Sequence, residues 1–168
     1  MEHSLEISNA HELQLMAYDL GIDYEVIADI NLGTKLTNPS SMWADATNGS
    51  FSSSNYKGSF VPVGDSTTNF TGAFDGNGHT ISGLYIDTNN NQTGLIGNAS
   101  NTTIKNITLA NVNINANIAT GALTGLASTV NFDTISISGT VSGSEEVGGA
   151  IGYMTETNVS NANSSANI

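Results

Sequence analysis

Gly94-Leu95-Ile96-Gly97, Gly121-Ala122-Leu123-Thr124-Gly125 and Gly149-Ala150-Ile151-Gly152 are three versions of one short phrase, and each is followed at a fixed distance by a second matching run. Those runs are Thr103-Ile104-Lys105-Asn106-Ile107-Thr108-Leu109, Asn131-Phe132-Asp133-Thr134-Ile135-Ser136-Ile137 and Asn158-Val159-Ser160-Asn161-Ala162-Asn163-Ser164. Ile104, Phe132 and Val159 set the step, and Ile107, Ile135 and Ala162 repeat it. It lies just under thirty positions, in the range of stacked-repeat proteins. One unit of that size cannot bury an apolar face alone, so the repeat predicts stacked units in a solenoid.

The content of the unit selects strands. Ile107 and Leu109, then Val112, Ile114, Ala116 and Ile118, alternate with Thr and Asn at a spacing of two, the period of a pleated strand. β-Branched residues suit that surface. Gly and Asn at Asn98, Gly139, Gly143 and Gly148 are expected to mark turns with positive φ. So short a unit leaves no room for a crossover helix, so successive coils must pair in parallel, and Asn at the turns can stack into ladders. The frame also extends backwards: Ile81, Leu84 and Ile86 precede Ile104, Ile107 and Leu109 by one constant interval, shorter than the later step. That interval predicts a shorter coil before the regular ones.

The opening differs in kind. Ser8 or Asn9 can cap a helix, Glu12 stands near the capping-box position, Leu13, Met16, Ala17 and Leu20 share a face, and Gly21 is the stop. Tyr24 to Leu32 reads as a strand. A helix across the first coil would protect an open solenoid end from edge-to-edge pairing. The chain of 168 residues is therefore expected to be a single domain. Residues 1–32 form the capping helix and first strand, 33–59 an inserted loop, and 60–168 the stacked coils.

Charge narrows the partners. Fifteen acids stand against Lys35, Lys57 and Lys105, with no Arg, for a net charge of −12. Nucleic acids and anionic bilayers attract proteins through Lys and Arg, so neither is an expected partner. A neutral glycan or a basic protein surface is not repelled. Cysteine is absent, which removes disulfides and thiolate metal sites. Met1-Glu2-His3-Ser4 begins no secretory signal and no stretch is long enough to span a bilayer as a helix. Alignment of Ile168 with Val141 leads us to expect a further coil after it, making the chain a segment of a longer protein.

The run from Leu13-Gln14-Leu15-Met16 through Asp29-Ile30-Asn31-Leu32, Phe60-Val61-Pro62-Val63-Gly64 and Phe70-Thr71-Gly72-Ala73-Phe74-Asp75-Gly76-Asn77-Gly78-His79-Thr80-Ile81, then the Gly-Leu-Ile-Gly phrases, resembles the GLUG-motif region of bacterial filamentous-haemagglutinin-like surface proteins. The resemblance covers almost the whole chain. It implies a right-handed parallel β-helix displayed outside a bacterial cell as part of a large adhesin; similar segments occur in non-catalytic parts of surface peptidases. Two departures stand out: Gly33 to Ser59 is longer than the usual passage, and the Asn-Pro-Asn-Gly secretion signature is absent.

No catalytic, metal or cofactor site is expected. Asp75-Gly76-Asn77-Gly78-His79 has too few oxygen side chains for a calcium loop of the EF type and reads as a tight turn. The β-helical lyases and hydrolases use a catalytic Arg or clustered Asp residues, whereas here Arg is absent and the acids do not recur at the repeat period. His3, His11 and His79 lack metal-ligand spacing, and no Gly-x-Ser-x-Gly elbow occurs. Several Asn-x-Ser/Thr triplets are what so much Asn, Ser and Thr produces by chance. Thr103, Thr108, Thr134 and Thr140 do not share the register that an ice-binding array needs. The candidate ligand contacts are Trp43 and Tyr56 in the inserted loop, where an exposed aromatic can stack on a sugar; the competing reading buries Trp43 in the core. The sequence thus predicts a non-catalytic, extracellular β-solenoid segment of an adhesin, monomeric in isolation, whose partner is a host or bacterial cell-surface protein or a neutral glycan. The alternatives are a carbohydrate-binding module working through 33–59 and a spacer or recognition region of a surface peptidase.

Overall fold

A computed structural model of the protein describes residues 4–36 and 59–168. Its elements are β1 (Leu5–Ile7), α1 (Ala10–Leu15), a 3-10 turn (Met16–Tyr18), β2 (Tyr24–Val26), β3 (Ile30–Asn31), α2 (Gly33–Leu36), β4 (Phe74–Asp75), β5 (Thr80–Ser82), β6 (Tyr85–Asp87) and β7 (Ile96–Asn115). Then come β8 (Ile118–Gly121), β9 (Thr124–Ser142), β10 (Glu145–Gly148), β11 (Ile151–Thr155) and β12 (Asn158–Ser164). Every pairing between these strands is parallel, and the coils follow one another from β1 through β2, β4, β7 and β9 to β12. The fold is a parallel β-solenoid.

Register shows how the core is built. Tyr24, Phe74, Ile104, Phe132 and Val159 stand in one interior row, and Ile30, Ile81, Leu109, Ile137 and Ser164 in another. Ile107, Ile135 and Ala162 form a third, as the repeat step predicts. Phe74, Ile81, Ile104 and Leu109 are fully buried. Rows of like side chains on consecutive rungs let each coil bury its apolar face on the next, which is why the repeat carries the fold.

The shorter coil is not there. Ile81 pairs with Leu109 and Ile86 with Ile114, the same interval that separates Ile104 from Phe132, while Phe74 pairs with Ile104 across a slightly longer one. The shorter frame arises because one coil carries several alternating apolar runs, and the 80–86 run also matches the wrong one of them. Irregular coils lie earlier. The first, from Leu5 to Tyr24, is short and holds α1; the second, from Tyr24 to Phe74, is much longer and holds α2 and the inserted segment.

Corners are set by columns rather than by isolated glycines. Non-glycine residues with φ near +50 to +57° stack as Gln92, Ala119 and Glu146, as Asn101, Thr129 and Glu156, and as Asn77, Asn106, Thr134 and Asn161. Of the four expected positive-φ turns, Gly139 alone has one, at +131°, opposite Val112 where the β7–β9 register slips. Asn98 is instead buried inside β7, Gly148 lies within β10, and Gly143 follows β9 without positive φ. The glycine phrases do different work. A Cβ on Gly125 would stand 2.3 Å from the backbone of Gln92 and Thr93, and one on Gly152 would stand 2.4 Å from Thr120 N. Each glycine lets a strand run against the corner of the coil before it. Register also places Gly148, not Gly149, opposite Gly121 as the start of the third phrase.

α1 is shorter than its periodicity suggests, passing into the 3-10 turn after Leu15 and ending with Asp19 extended, before Gly21. Asn9 is the cap, its Oδ1 accepting from His11 N at 3.0 Å and Glu12 N at 3.1 Å. Glu12 reaches back past the cap to accept from Ser8 N at 2.7 Å and Ser8 Oγ at 2.8 Å, a capping-box contact shifted to the residue before the cap. Leu13 and Met16 enter the core, whereas Ala17 and Leu20 are half-buried. Gln14 is fully buried and pins the helix to the coil: its Nε2 donates to Val61 O and its Oε1 accepts from Val61 N, at 2.9 and 3.0 Å. Tyr24 to Leu32 is two strands rather than one: the chain bends at Ala28, and the carboxylate of Asp29 beside it takes the Thr80 N–H at 2.9 Å.

Candidate functional site

The outer faces carry polar ladders. Asn106 Nδ2 donates to Asp75 Oδ1 at 3.0 Å, Asn161 Nδ2 to Asp133 Oδ1 at 2.8 Å, and Asn115 Nδ2 to Asp87 Oδ1 at 2.9 Å. Asn117 bridges two neighbours, donating to Asn91 Oδ1 at 2.8 Å and accepting from Ser144 Oγ at 2.6 Å. Each bond joins consecutive coils. These are the expected turn ladders, with Asp and Ser sharing the role of Asn.

The Asp75 to His79 stretch is a turn, with Asn77 and Gly78 at φ +50 and +78°. Asp75 Oδ1 accepts from Asn77 N at 2.8 Å and from Asn106, and its Oδ2 lies 3.1 Å from Lys105 Nζ. Partial burial pushes this carboxyl up, but the Asn77 N–H, the Asn106 amide and the Lys105 ammonium together outweigh burial and hold it below its ordinary value. A carboxylate engaged by donors on both oxygens serves the coil stack. His79 Nδ1 sits 3.3 Å from Asp29 Oδ1, an exposed contact across the corner. Among the described residues no group of three or more His, Asp or Glu is placed to hold a metal ion.

A cleft of about 640 Å³ is lined by Ala17 and Leu20 after α1, by Val61, Pro62, Gly64, Asp65, Ser66 and Thr68, and by Asn90, Asn91 and Gln92 at the following corner. The Phe60-Val61-Pro62-Val63-Gly64 segment is held on the coil by Val63 N donating to Leu95 O at 3.0 Å. Gly64 turns the chain at φ +75°. Gly97 lets the two walls approach, since a Cβ there would stand 2.4 Å from Gly64 O and 2.9 Å from Gln92 O. Asp65 is rigidly placed: its Oδ1 accepts from Thr67 N and Oγ1 at 2.8 and 2.6 Å and from Thr68 N at 2.9 Å. The Thr67 hydroxyl, then the Thr67 and Thr68 N–H groups, hold its carboxyl below the ordinary range.

A shallower groove of about 400 Å³ follows the corner column of Asn101, Thr129 and Glu156. Trp43 and Tyr56, the candidate contacts of the sequence, lie outside the described residues. Sequence reading misses the cleft because its walls come from three separated stretches. Its signals are the amide run Asn89-Asn90-Asn91-Gln92 at a corner of the repeat and the hydroxyl-rich Asp65-Ser66-Thr67-Thr68.

No helix among the described residues is long and apolar enough to cross a membrane. No family model matches the chain, and no solved structure matches it. The chain is similar to halomucin of Haloquadratum walsbyi, with 40% identity over 114 residues. Those residues are 66% of this chain and 1% of halomucin, so the chain spans about 1% of the length of the relative it matches. A parallel β-solenoid and this likeness fit a structural segment of an extracellular protein.

Proposed function

We propose that the chain is a non-catalytic segment of a large cell-surface adhesin, of the bacterial filamentous-haemagglutinin-like kind that its GLUG-type sequence resembles. The observation that carries the reading is the long parallel ladder between β7 and β9, running from Ile96 opposite Thr124 to Asn115 opposite Ser142 with one register slip between Leu109 and Val112. Each further coil lengthens such a body by one strand spacing, about 4.8 Å, so stacked coils make a stiff spacer that holds a contact away from its anchor. The likeness to 1% of a very long relative supports a segment role. The surface suits exposure to solvent, being polar through Asn, Ser and Thr and acidic overall.

Adhesion is tested by coating beads with the chain and scoring attachment to host and bacterial cells at physiological salt. Attachment above that of albumin-coated beads is the expected result. Attachment equal to albumin overturns the adhesive part and leaves a spacer, and turnover of peptide or glycan substrates by the purified chain overturns the non-catalytic part.

A further inference from the structure

We infer that the cleft between α1, the 61–68 segment and the 90–92 corner is a binding site for a neutral saccharide. Its volume, about 640 Å³, lies within the range of small-molecule sites. What faces into it is chemically selective. Asp65, Asn90, Asn91 and Gln92 bring planar carboxylate and amide groups, Ser66 and Thr68 bring hydroxyls, and Ala17, Leu20, Val61 and Pro62 give an aliphatic wall. Paired donors and acceptors beside an apolar patch match a sugar, which offers adjacent hydroxyls on its edge and C–H groups on its face. Among the described residues no Lys, Arg or His lines the cleft, and Asp65 is anionic. A uronic, sialic or sulfated ligand would therefore be disfavoured by like charge.

Two further features separate the cleft from accidental roughness. Its polar groups are fixed in advance: three hydrogen bonds of 2.9 Å or less hold Asp65 Oδ1 within its own turn, and Asn91 Oδ1 is held by Asn117 Nδ2 at 2.8 Å and Ile118 N at 3.3 Å. Groups already ordered lose little freedom on binding. Part of the lining is also peculiar to this coil. The corner equivalents of Gln92 are Ala119 and Glu146, neither of which offers an amide, and the apolar wall comes from the non-repeating end. Because the site rests on 61–68 and 90–92, it does not depend on the adhesive reading of the whole chain.

The test is an amide-resolved NMR titration of the whole chain with glucose, galactose, mannose, N-acetylglucosamine and their neutral trisaccharides, taken to concentrations where weak sugar complexes saturate. At least one sugar should move the amides of residues 17–20, 61, 63–68 and 90–92. Ser66→Trp, an exposed position that would fill the cleft, should weaken binding tenfold or more with the remaining spectrum intact, and Gln92→Ala should weaken it several-fold. A second arm compares a glycoprotein carrying the same sugar before and after enzymatic deglycosylation, to separate free from protein-borne ligand. No movement with any sugar overturns the inference, as does binding kept in Ser66→Trp, or galacturonate binding as tightly as galactose. Bead attachment scores the adhesive reading separately.

Discussion

Asn106 gives its side-chain amide to the Asp75 carboxylate of the coil before it at 3.0 Å, and Asn161 repeats the contact with Asp133 at 2.8 Å. These outward contacts fasten neighbouring coils where the chain turns, and the carboxylates they engage are held below their ordinary values. For Asp133 the Ser160 hydroxyl and then the Asn161 amide are the cause. A carboxylate depressed on folding contributes stability that is present above its unfolded pKa, about 3.9, and is lost as pH falls through the lower folded value. Asp75→Asn should therefore lower the urea midpoint at pH 7, and the gap from the parent chain should close below about pH 4. A gap that stayed constant down to strongly acid pH would show that the Asp75 charge contributes nothing.

Phe132 and Val159 occupy the same interior row on consecutive coils, yet Phe132 is 1% exposed and Val159 is 45% exposed. The difference is position in the stack: β9 is covered by coils on both sides, whereas β12 pairs with β9 alone. Phe132→Ala removes a fully packed ring and should cost about 3–5 kcal/mol. Val159→Ala should cost below about 1 kcal/mol, since nearly half its surface already meets water. Equal losses in chemical denaturation would mean that the row does not share one core.

The solenoid is legible because its apolar rows obey two simple rules, alternation within a run and recurrence at a nearly constant step. Ile104, Phe132 and Ile135 satisfy both. The early coils mislead because Ile81, Leu84 and Ile86 satisfy the first rule in more than one frame, and only pairing with Leu109 and Ile114 decides between them. Corners are hidden for a different reason. Thr129, Thr134, Ala119 and Glu146 hold positive φ without belonging to the residue types that favour it, because neighbouring coils impose the geometry. The cleft is illegible since Leu20, Asp65 and Gln92 come from three separated stretches that meet only in the folded chain.

A net charge of −12 carried by so few cations means that the folded chain holds its acids closer together than the unfolded chain does. Salt should relieve that repulsion, because raising it from about 0.1 to about 1 M shortens the screening length from about 10 to about 3 Å. Sodium chloride over that range should raise the thermal midpoint at pH 7 by about 3–6 °C, equivalent to roughly 1–2 kcal/mol in a chain of this size. Near pH 4 many of the acids are protonated and the rise should shrink. A midpoint insensitive to salt at pH 7, or a rise just as large at pH 4, would remove the electrostatic explanation.

Thr129 stands at φ +57° in the corner column where Asn101 stands at +51°, and it is exposed. A β-branched residue is strained in the left-handed region, whereas Asn adopts it more readily because its short polar side chain can bond locally. The Thr129 hydroxyl has little to lose, its contact with Glu156 Oε2 being 3.5 Å long. Thr129→Asn should therefore stabilise the chain by about 0.5–1 kcal/mol, part of the left-handed penalty, seen as a higher urea midpoint with an unchanged slope. Ser128→Asn, one residue earlier and opposite Ser100 in the ladder, should give no such gain. If both substitutions behaved alike, the corner would not be strained, and the recurrence of Asn at Asn77, Asn106 and Asn161 would need a cause other than backbone geometry.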